Sequence, residues 1–216
     1  MKGLMIDLDN TLYGYEVCNK YAKLCLIKQL SKDLCIGLAN IEKAFDESRK
    51  DVKNVLGNTA AGHSRLLYIQ KTLEILGISS FKAVMYNELF WKRYFEKMKL
   101  FGGVMKFLKN TNNLGIKICI VTDLTAEIQM KKIIHLGIEN YIDFIVSSEE
   151  VGCDKPSSKM FQSALEKMNM SKEDVIMVGD DEDKDIRGAE DFGIKAIYVN
   201  QYSFKSLDIT NIFLAL

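Results

Sequence analysis

The spacing of apolar residues predicts one strand followed by a long run of helices. The apolar run Leu4-Met5-Ile6 has the composition of a buried strand. From about residue 15 to residue 98 the apolar residues recur at helical intervals. These helical positions are Leu24, Ile27 and Leu30, then Ile41, Phe45, Val52 and Val55, then Leu66, Leu67, Ile69, Leu73 and Leu76, and finally an aromatic-rich segment at 81–98. Gly77 follows the third group and is expected to end its helix.

Strands and helices alternate after Phe101. We predict strands at residues 116–121, 142–146, 175–178 and 195–199, and helices at residues 104–114, 126–136, 156–168 and 185–192. Pro156 is expected to open the third of these helices, because proline is tolerated in a first helical turn. This alternation predicts a parallel sheet with helices on both faces.

The expected fold class is therefore α/β, with a doubly wound parallel sheet and an inserted helical domain. Residues 1–12 and about 101–216 would form the sheet domain, and residues 13–100 would form the insert. Because the insert leaves the chain directly after the first strand, we expect it to cover the site beyond that strand as a lid. The alternative is a helical domain that only stabilises the rest of the protein.

Two carboxylates, Asp7 and Asp9, follow the first predicted strand directly. Ligands of open parallel sheets bind just beyond the carboxyl ends of the strands. Two negative charges about 4 Å apart repel each other by about 4 kcal/mol at an effective dielectric of about 20. The pair therefore favours a bound cation, although aspartates are also common in turns that follow strands.

Four segments resemble, in order, the four signatures of the haloacid dehalogenase-like superfamily. Residues 7–11, Asp-Leu-Asp-Asn-Thr, are similar to the first signature, Asp-x-Asp-x-Thr. The strand at 118–122 ends in a threonine like the second, and the Lys-Pro pair at 155–156 resembles the third. Residues 175–180, with Asp185 five residues further on, resemble the fourth. The resemblance implies a Rossmann-like core with a helical cap, as in the branch that contains pyrimidine 5′-nucleotidases and N-acylneuraminate-9-phosphate phosphatases.

The resemblance also implies roles for the acidic residues. Asp7 is expected to attack phosphorus and form an aspartyl-phosphate, which divides one difficult displacement into two easier ones. Asp9 is expected to protonate the leaving oxygen and then to deprotonate the attacking water. The implied cofactor is Mg²⁺, which prefers oxygen ligands. Its implied ligands are Asp7, the backbone carbonyl of Asp9, Asp180, and Asp185 through water or by orienting its neighbours. The alternative for Asp185 is an acid favoured by a helix N-terminus.

Thr122, Asp123 and Lys155 are the candidate phosphate-binding residues. A hydroxyl, backbone N–H groups and an ammonium group together suit a transition state with negative charge on its oxygens. The alternative for Lys155 is an ordinary surface lysine. Asp123 departs from the family pattern, because a carboxylate beside an incoming phosphate is unfavourable. Either its side chain points away and only its N–H is used, or it helps to select the substrate.

In the predicted insert, His63 and Arg65 stand just before a helix and are candidates for substrate specificity. Arg65 would pair with an anionic group and His63 with a hydroxyl. Residues of these types at helix starts are more often structural or solvated.

Composition narrows the class of protein further. The 29 basic and 29 acidic side chains balance, which favours neither nucleic acid nor an anionic membrane as a partner. No apolar run reaches membrane-spanning length, and no signal-peptide pattern is present. The five cysteines form no Cys-x-x-Cys pair and are typical of reduced thiols in a cytoplasmic protein.

We therefore expect a cytoplasmic, Mg²⁺-dependent phosphatase, monomeric or homodimeric, that acts on a small phosphorylated metabolite such as a nucleotide or sugar phosphate. The nearest enzymatic alternative is a phosphomutase or phosphotransferase of the same fold, which would pass the phosphoryl group to another acceptor. An alternative of a different class is a non-catalytic binding protein. The intact set of Asp7, Asp9, Thr122, Lys155 and Asp180 argues against that alternative.

Overall fold

The computed structural model describes residues 2–207, and the chain divides into two compact units. The first, here called the sheet unit, combines Met1–Gly14 with Lys99–Leu216, and the second, the helical unit, is Tyr15–Met98. The expected sheet domain included residue 1 and residues 208–216, which lie outside the described residues. The assignment of the helical unit as a cap stays a prediction.

A five-stranded parallel sheet lies in the described part of the sheet unit, as the alternating pattern predicted. Its strands are β1 (Gly3–Ile6), β2 (Lys117–Thr122), β3 (Phe144–Ser147), β4 (Val175–Gly179) and β5 (Lys195–Tyr198). The spatial order is β3-β2-β1-β4-β5. Ile6 is level with Ile120 of β2 and Val178 of β4, so the carboxyl ends of the three central strands lie side by side. The predicted α/β class with a parallel sheet is confirmed.

The helices follow the predicted sequence of elements closely. Within residues 2–207 they are α1 (Tyr15–Leu34), α2 (Leu38–Leu56), α3 (Arg65–Ile75), α4 (Ala83–Phe95), α5 (Val104–Asn113), α6 (Ala126–His135), α7 (Ser148–Val151), α8 (Ser158–Met168) and α9 (Gly188–Phe192). Short 3₁₀ turns lie at Ala60–His63, Ser80–Lys82, Glu139–Tyr141, Lys172–Asp174 and Ser203–Lys205. A π-helical turn covers Glu182–Arg187. None of the described helices combines the length and apolar character needed to span a membrane.

The first strand is buried on both of its faces, which explains its continuous apolar run. Leu4, Met5 and Ile6 are completely inaccessible to solvent. On one side of the sheet, strand residues and helices α8 and α9 form a single apolar cluster of Met5, Cys119, Val121, Val146, Met160, Phe161, Ala164, Leu165, Met168, Val175, Met177, Ala189 and Ile194. Such burial on both faces is typical of strands in the middle of a parallel sheet.

The prediction that Pro156 opens a helix is wrong. Helix α8 begins at Ser158, and Pro156 follows a cis peptide bond in the preceding turn. The N–H of Ser157 donates a hydrogen bond to the carbonyl of Asp154 at 3.1 Å, which closes this turn before the helix starts. Lys155 therefore lies in a turn rather than at a helix start.

The helix predicted at 185–192 begins three residues earlier and is not regular. The π-helical turn Glu182–Arg187 precedes α9, and Asp181 occupies its N-cap position. The side chain of Asp181 accepts hydrogen bonds from the N–H groups of Asp183 and Lys184, both at 3.0 Å. This capping, which satisfies N–H groups at a helix start, gives Asp181 a structural role.

Three of the predicted apolar stripe positions in the helical unit are exposed instead of buried. They are Leu24, Val55 and Leu66, with exposed fractions of 50%, 80% and 37%. In α1 the buried face repeats mainly at four-residue intervals, through Cys18, Ala22, Leu26 and Leu30. Leu24 lies two residues from both Ala22 and Leu26, about 200° around the helix, and therefore faces the opposite side.

Candidate active site

Three neighbouring strand ends bring the main candidate residues of the sheet unit together. Asp7 directly follows β1, and its N–H donates to the carbonyl of Val178 in β4 at 2.9 Å. Thr122 is the last residue of β2, and Asp180 directly follows β4. Because β1 lies between β2 and β4, these side chains emerge at the same edge of the sheet.

Both oxygens of the Asp7 carboxylate have hydrogen-bond partners. Its Oδ1 accepts from Lys155 Nζ at 2.7 Å, and its Oδ2 accepts from the hydroxyl of Thr11 at 2.9 Å. Burial raises the pKa of Asp7 well above its usual value. Lys155 opposes this rise in the pKa, whereas the charges of Asp185, Asp180 and Asp9 add to it. Ionisation of Asp7 therefore depends on nearby positive charge.

Lys155 is buried at the centre of the acidic cluster and is not an ordinary surface lysine. Its Nζ donates to Asp7 Oδ1 at 2.7 Å, to Asp185 Oδ1 at 2.6 Å and to the carbonyl of Val121 at 2.9 Å. Burial alone would lower the pKa of Lys155, but Asp185 and Asp7 together raise it above its ordinary value. Lys155 is therefore held as a cation, and its three hydrogens are all used.

Asp180 and Asp185 complete the acidic cluster. The Thr11 hydroxyl that lies near Asp7 is also 2.8 Å from Asp180 Oδ1. Burial raises the pKa of Asp180 to about 6, with Asp185 acting in the same direction and the Thr11 hydrogen bond opposing it. Asp185 is 1% exposed, and a Cβ at Gly179 would lie only 2.2 to 2.4 Å from its side chain. Glycine at position 179 thus leaves the space that this buried carboxylate occupies.

The donor set of this cluster fits a divalent cation that prefers oxygen. Carboxylate oxygens of Asp7, Asp180 and Asp185 all lie within 4.8 Å of one another. Burial is the main cause of the raised pKa values of Asp7 and Asp180, and repulsion between these neighbouring carboxylates adds to it. A hard cation such as Mg²⁺ would offset that repulsion and accept oxygen ligands.

Asp9 is held by a set of residues that the sequence did not indicate. Lys132 Nζ lies 2.7 Å and 2.8 Å from the two carboxylate oxygens of Asp9. The Tyr13 hydroxyl donates to Asp9 Oδ1, and Gln129 Nε2 donates to Oδ2 at 3.3 Å. Lys132 and Gln129 are both 0% exposed, although both come from the amphipathic helix α6. We call Tyr13, Gln129 and Lys132 the Asp9 clamp.

The clamp stabilises the ionised form of Asp9. Burial by itself would raise the pKa of this carboxyl, but the charge and hydrogen bond of Lys132 outweigh burial and lower it below its usual value. Hydrogen bonds from Tyr13 and Gln129 act in the same direction. Asp9 and Asp7 therefore differ in the direction of their pKa shifts, as expected of two carboxylates with different tasks.

The side chain of Asp123 is bound to protein groups at both of its oxygens. Oδ1 accepts from the backbone N–H of Lys155 at 2.9 Å, and Oδ2 accepts from Lys184 Nζ at 2.7 Å. Burial would lower the pKa of Lys184, but Asp123 raises it above its ordinary value. Asp123 thus joins the turn of Lys155 to the loop after β4. This geometry supports the interpretation in which only its N–H faces the substrate.

The Thr122 hydroxyl is positioned by the same glutamine that contacts Asp9. Gln129 Nε2 lies 2.5 Å from Thr122 Oγ1 and 2.8 Å from the carbonyl of Asp123. The Thr122 hydroxyl itself donates to the carbonyl of Asp123 at 3.4 Å, a long hydrogen bond that one to a phosphate oxygen could replace.

His63 and Arg65 both lie in the helical unit and take part in one local network. The Arg65 guanidinium is 6% exposed and donates to the carbonyl of His63 at 2.7 Å. It also donates to the Tyr15 hydroxyl and, at 3.3 Å, to Asn19 Oδ1. Arg65 is therefore a buried, oriented cation rather than a solvated one.

The residues that sequence reasoning missed are Thr11, Tyr13, Gln129, Lys132 and Lys184. Thr11 belongs to the first signature, so its place in the motif was a usable signal. Lys184 is the one cation in an otherwise acidic loop, Asp180 to Asp185. Gln129 and Lys132 gave no usable signal, because polar residues spaced three apart on an amphipathic helix are usually exposed.

The sequence is similar to a known protein family and to named phosphatases. The sequence profile described as haloacid dehalogenase-like hydrolase matches residues 4–199. The chain is 34% identical over 200 residues to ribulose-1,5-bisphosphate 5-phosphatase of Halopiger xanaduensis, covering 90% of this chain and 82% of the relative. It is 35% identical over 96 residues to pyrimidine 5′-nucleotidase YjjG of Escherichia coli, covering 44% and 43% of the two chains.

The fold has solved counterparts as well. The crystal structure of a haloacid dehalogenase-like phosphatase from Thermococcus onnurineus superposes with a TM-score of 0.69 and covers 93% of this chain and 86% of the other. The two sequences are 23% identical, so this similarity concerns the fold.

Proposed function

Because the chain belongs to the haloacid dehalogenase-like hydrolases, we propose that it hydrolyses a small sugar phosphate or nucleotide through a covalent phosphoryl group on Asp7. Its class is phosphoric monoester hydrolase, the activity named for the relatives from Halopiger xanaduensis and Escherichia coli. The residue roles, the metal and the substrate below are our proposal.

The surroundings of Asp7 are the main support for the proposed mechanism. Asp7 is a buried carboxylate that contacts a buried lysine at 2.7 Å and lies within 4.8 Å of two further carboxylates. Such a cluster suits attack on a phosphoryl group, because Lys155 and a bound cation would together reduce the repulsion between the Asp7 carboxylate and the phosphoryl oxygens.

The reaction proceeds in two displacements. An Asp7 oxygen forms a bond to phosphorus while the bond from phosphorus to the substrate oxygen breaks, and the leaving oxygen gains a proton. Water then attacks the phosphorus of the aspartyl-phosphate and gives up a proton, which releases inorganic phosphate and restores the Asp7 carboxylate. The proposed hydrogen-bond donors to the phosphoryl oxygens are the Thr122 hydroxyl and the backbone N–H of Asp123.

Asp9 is the proposed proton carrier in both displacements. The ionised form that the clamp stabilises can accept the proton from water in the second displacement. In the first displacement Asp9 must carry a proton, which Lys132 opposes. We therefore expect the release of poor leaving groups to be the most sensitive to changes at Asp9.

Mg²⁺ is the proposed cofactor, in keeping with its general use by phosphatases of this family. Asp7, Asp180, Asp185 and the backbone carbonyl of Asp9 would hold it. When bound, it supplies positive charge that lowers repulsion between the Asp7 carboxylate and the phosphate.

We also propose a substrate class and a cellular location. The relatives act on a sugar bisphosphate and on pyrimidine nucleotides, which supports a small phosphorylated metabolite as substrate. A cytoplasmic location is supported by free thiols, since disulfides are rare in that compartment. The cysteines that form no disulfide are Cys18, Cys25, Cys35, Cys119 and Cys153.

Removal of metal should abolish phosphate release, and Mg²⁺ should restore it. Without a cation, the carboxylates of the acidic cluster repel the substrate phosphate, and less positive charge is present to offset that repulsion. The measurement is phosphate release from p-nitrophenyl phosphate and from a panel of sugar phosphates and nucleotides, with chelator and then with added Mg²⁺. Full activity after verified metal removal would contradict the proposed cofactor, and no release from any phosphomonoester would contradict the proposed function.

A pair of aspartate variants in one loop tests the proposed ligand set. Asp180→Asn should raise the Mg²⁺ concentration needed for half-maximal activity by at least about 10- to 100-fold, the cost of losing even an outer partner of a metal site. Asp183→Asn is the matched control, because Asp183 is exposed and pairs with Arg187 at 2.6 Å. Equal metal requirements in the two variants would remove Asp180 from the site.

A further inference from the structure

An ion pair between Lys184 and Asp123 joins two loops of the sheet unit. Lys184 Nζ lies 2.7 Å from Asp123 Oδ2, although the two residues are 61 positions apart in the chain. Asp123 directly follows β2, and Lys184 lies in the π-helical turn after β4. Since β1 lies between β2 and β4, the pair connects the loops on either side of the strand that ends next to Asp7.

The carboxylate of Asp123 lies where negative charge is unfavourable for the proposed reaction. The N–H of this residue is a proposed donor to the phosphoryl oxygens, and its Oδ1 accepts from the backbone N–H of Lys155 at 2.9 Å. Burial lowers the pKa of Lys155, whereas Asp185 and Asp7 raise it. Asp123 raises the pKa of Lys155 further, so its charge acts on the ammonium group that contacts Asp7. An uncompensated carboxylate at this position would repel a phosphate dianion.

Lys184 is the cation that offsets the charge of Asp123. The side chains of Lys184 and Asp123 are 38% and 17% exposed, so water screens their interaction less than that of a fully exposed pair. Burial would lower the pKa of Lys184, but Asp123 and, to a smaller extent, Asp154 raise it. Asp154 is itself buried and directly precedes Lys155. Two carboxylates near the turn of Lys155 therefore act on the ammonium group of Lys184.

We propose that Lys184 is a positioning residue that acts through Asp123. Its ammonium group offsets the Asp123 carboxylate, so that the backbone N–H of Asp123 can bind a phosphoryl oxygen without repulsion from its own side chain. This inference rests on the proposed phosphatase function and adds a role in phosphate binding for a lysine of the loop after β4. The alternative is an ion pair that only ties the two loops together.

Lys184→Met tests this role, because it removes the charge with little change in side-chain volume. Inorganic phosphate should bind about 10-fold more weakly to this variant, the low end of the effect of a charge about 4 to 6 Å from another charged group. The measurements are the inhibition constant of inorganic phosphate and KM for p-nitrophenyl phosphate, both at saturating Mg²⁺. The value of kcat should change less than KM, because the repulsion acts on the bound substrate and on the transition state alike.

A second substitution separates the effect of charge from that of structure. Asp123→Asn removes the charge of the carboxylate but keeps an oxygen that can accept the hydrogen bond from the N–H of Lys155. When it is added to Lys184→Met, it should therefore restore most of the lost phosphate affinity. Lys184→Arg should keep most of the affinity on its own, since arginine retains the positive charge.

Mg²⁺ binding, measured by calorimetry without substrate, is a readout that does not depend on activity. Lys184 is next in sequence to Asp185, a proposed ligand, so the loss of its positive charge should leave the Mg²⁺ affinity unchanged or raise it. Disruption of the loop would weaken Mg²⁺ binding instead. Arg187→Met is the matched control, because Arg187 is an exposed cation of the same turn that pairs with Asp183 at 2.6 Å. It should change phosphate and Mg²⁺ binding by less than about twofold.

Three results would overturn the inference. They are phosphate binding by Lys184→Met equal to that of the Arg187→Met control, a loss of phosphate affinity that Asp123→Asn does not restore, and a loss accompanied by weaker Mg²⁺ binding. A wild type that hydrolyses no phosphomonoester would overturn the proposed function. A wild type that turns over, with equal inhibition by phosphate in all variants, would overturn this inference alone.

Discussion

Asp7→Asn should remove turnover while leaving the fold intact. An amide has nearly the shape of a carboxylate but cannot attack phosphorus, and the loss of a catalytic nucleophile typically costs about 10⁴- to 10⁶-fold in kcat. The Tm should change little, because the substitution removes both the contact with Lys155 and the repulsion from Asp180 and Asp185. The measurements are kcat for p-nitrophenyl phosphate and a thermal unfolding curve.

The control for this substitution is Asp183→Asn, the same chemical change at an exposed carboxylate. It should keep both wild-type turnover and wild-type stability. Turnover at the wild-type rate by a verified Asp7→Asn protein would exclude Asp7 as the nucleophile.

Asp9→Asn should slow the reaction by about 10²-fold or more, the typical worth of a positioned acid or base. The loss should depend on the leaving group, because nitrophenolate departs without a proton and a sugar alkoxide does not. We therefore expect a larger loss for a sugar phosphate than for p-nitrophenyl phosphate. Equal losses on both compounds would show that Asp9 does not protonate the leaving oxygen.

Lys132→Met tests whether the rate depends on how the Asp9 carboxylate is held, because Asp9 itself is unchanged in this variant. Methionine fills a similar volume, but the contacts of 2.7 Å and 2.8 Å to Asp9 disappear and only Tyr13 and Gln129 remain to hold the carboxylate. We expect a loss in kcat smaller than that of Asp9→Asn, with an unchanged KM. Lys132→Arg should recover part of the rate. Wild-type kinetics in Lys132→Met would show that Lys132 contributes packing alone and does not affect the reaction through Asp9.

The sheet and its catalytic edge could be predicted because local signals agreed with the fold. The run Leu4-Met5-Ile6 is apolar without alternation, as a strand buried on both faces requires. Polar residues placed at three strand ends, Asp7, Thr122 and Asp180, then had to meet, because neighbouring parallel strands end at one edge.

The clamp could not be predicted, because it depends on burial that the sequence does not encode locally. Lys132 and Gln129 are polar residues of an amphipathic helix, where such residues usually face solvent, yet both are completely buried. A lysine is almost never fully buried unless it is paired, and its partner Asp9 lies more than a hundred residues away in the chain. Such pairing is visible only once the fold has brought α6 close to Asp9, in the loop after β1.

The predicted ends of helices were wrong where side-chain and turn hydrogen bonds, rather than the apolar periodicity, determine where a helix begins. Asp181 starts the π-helical turn by capping two N–H groups, three residues before the apolar pattern indicated. Pro156 lies in a turn that a hydrogen bond from Ser157 to Asp154 closes. The helix therefore starts after the proline, although proline is tolerated in a first helical turn. Leu24 shows the converse error, because an apolar residue at a plausible interval faces solvent.

Detection of the covalent phosphoryl group on Asp7 tests the central claim most directly. Wild-type protein is mixed with Mg²⁺ and p-nitrophenyl phosphate, quenched in acid within one turnover, digested, and analysed by mass spectrometry with borohydride trapping of acyl phosphates. We predict a phosphoryl group on the peptide that contains Asp7, formed as fast as nitrophenol is released and lost as phosphate appears. Release of nitrophenol and phosphate together, with Asp7 unmodified throughout the first turnover, would contradict the mechanism.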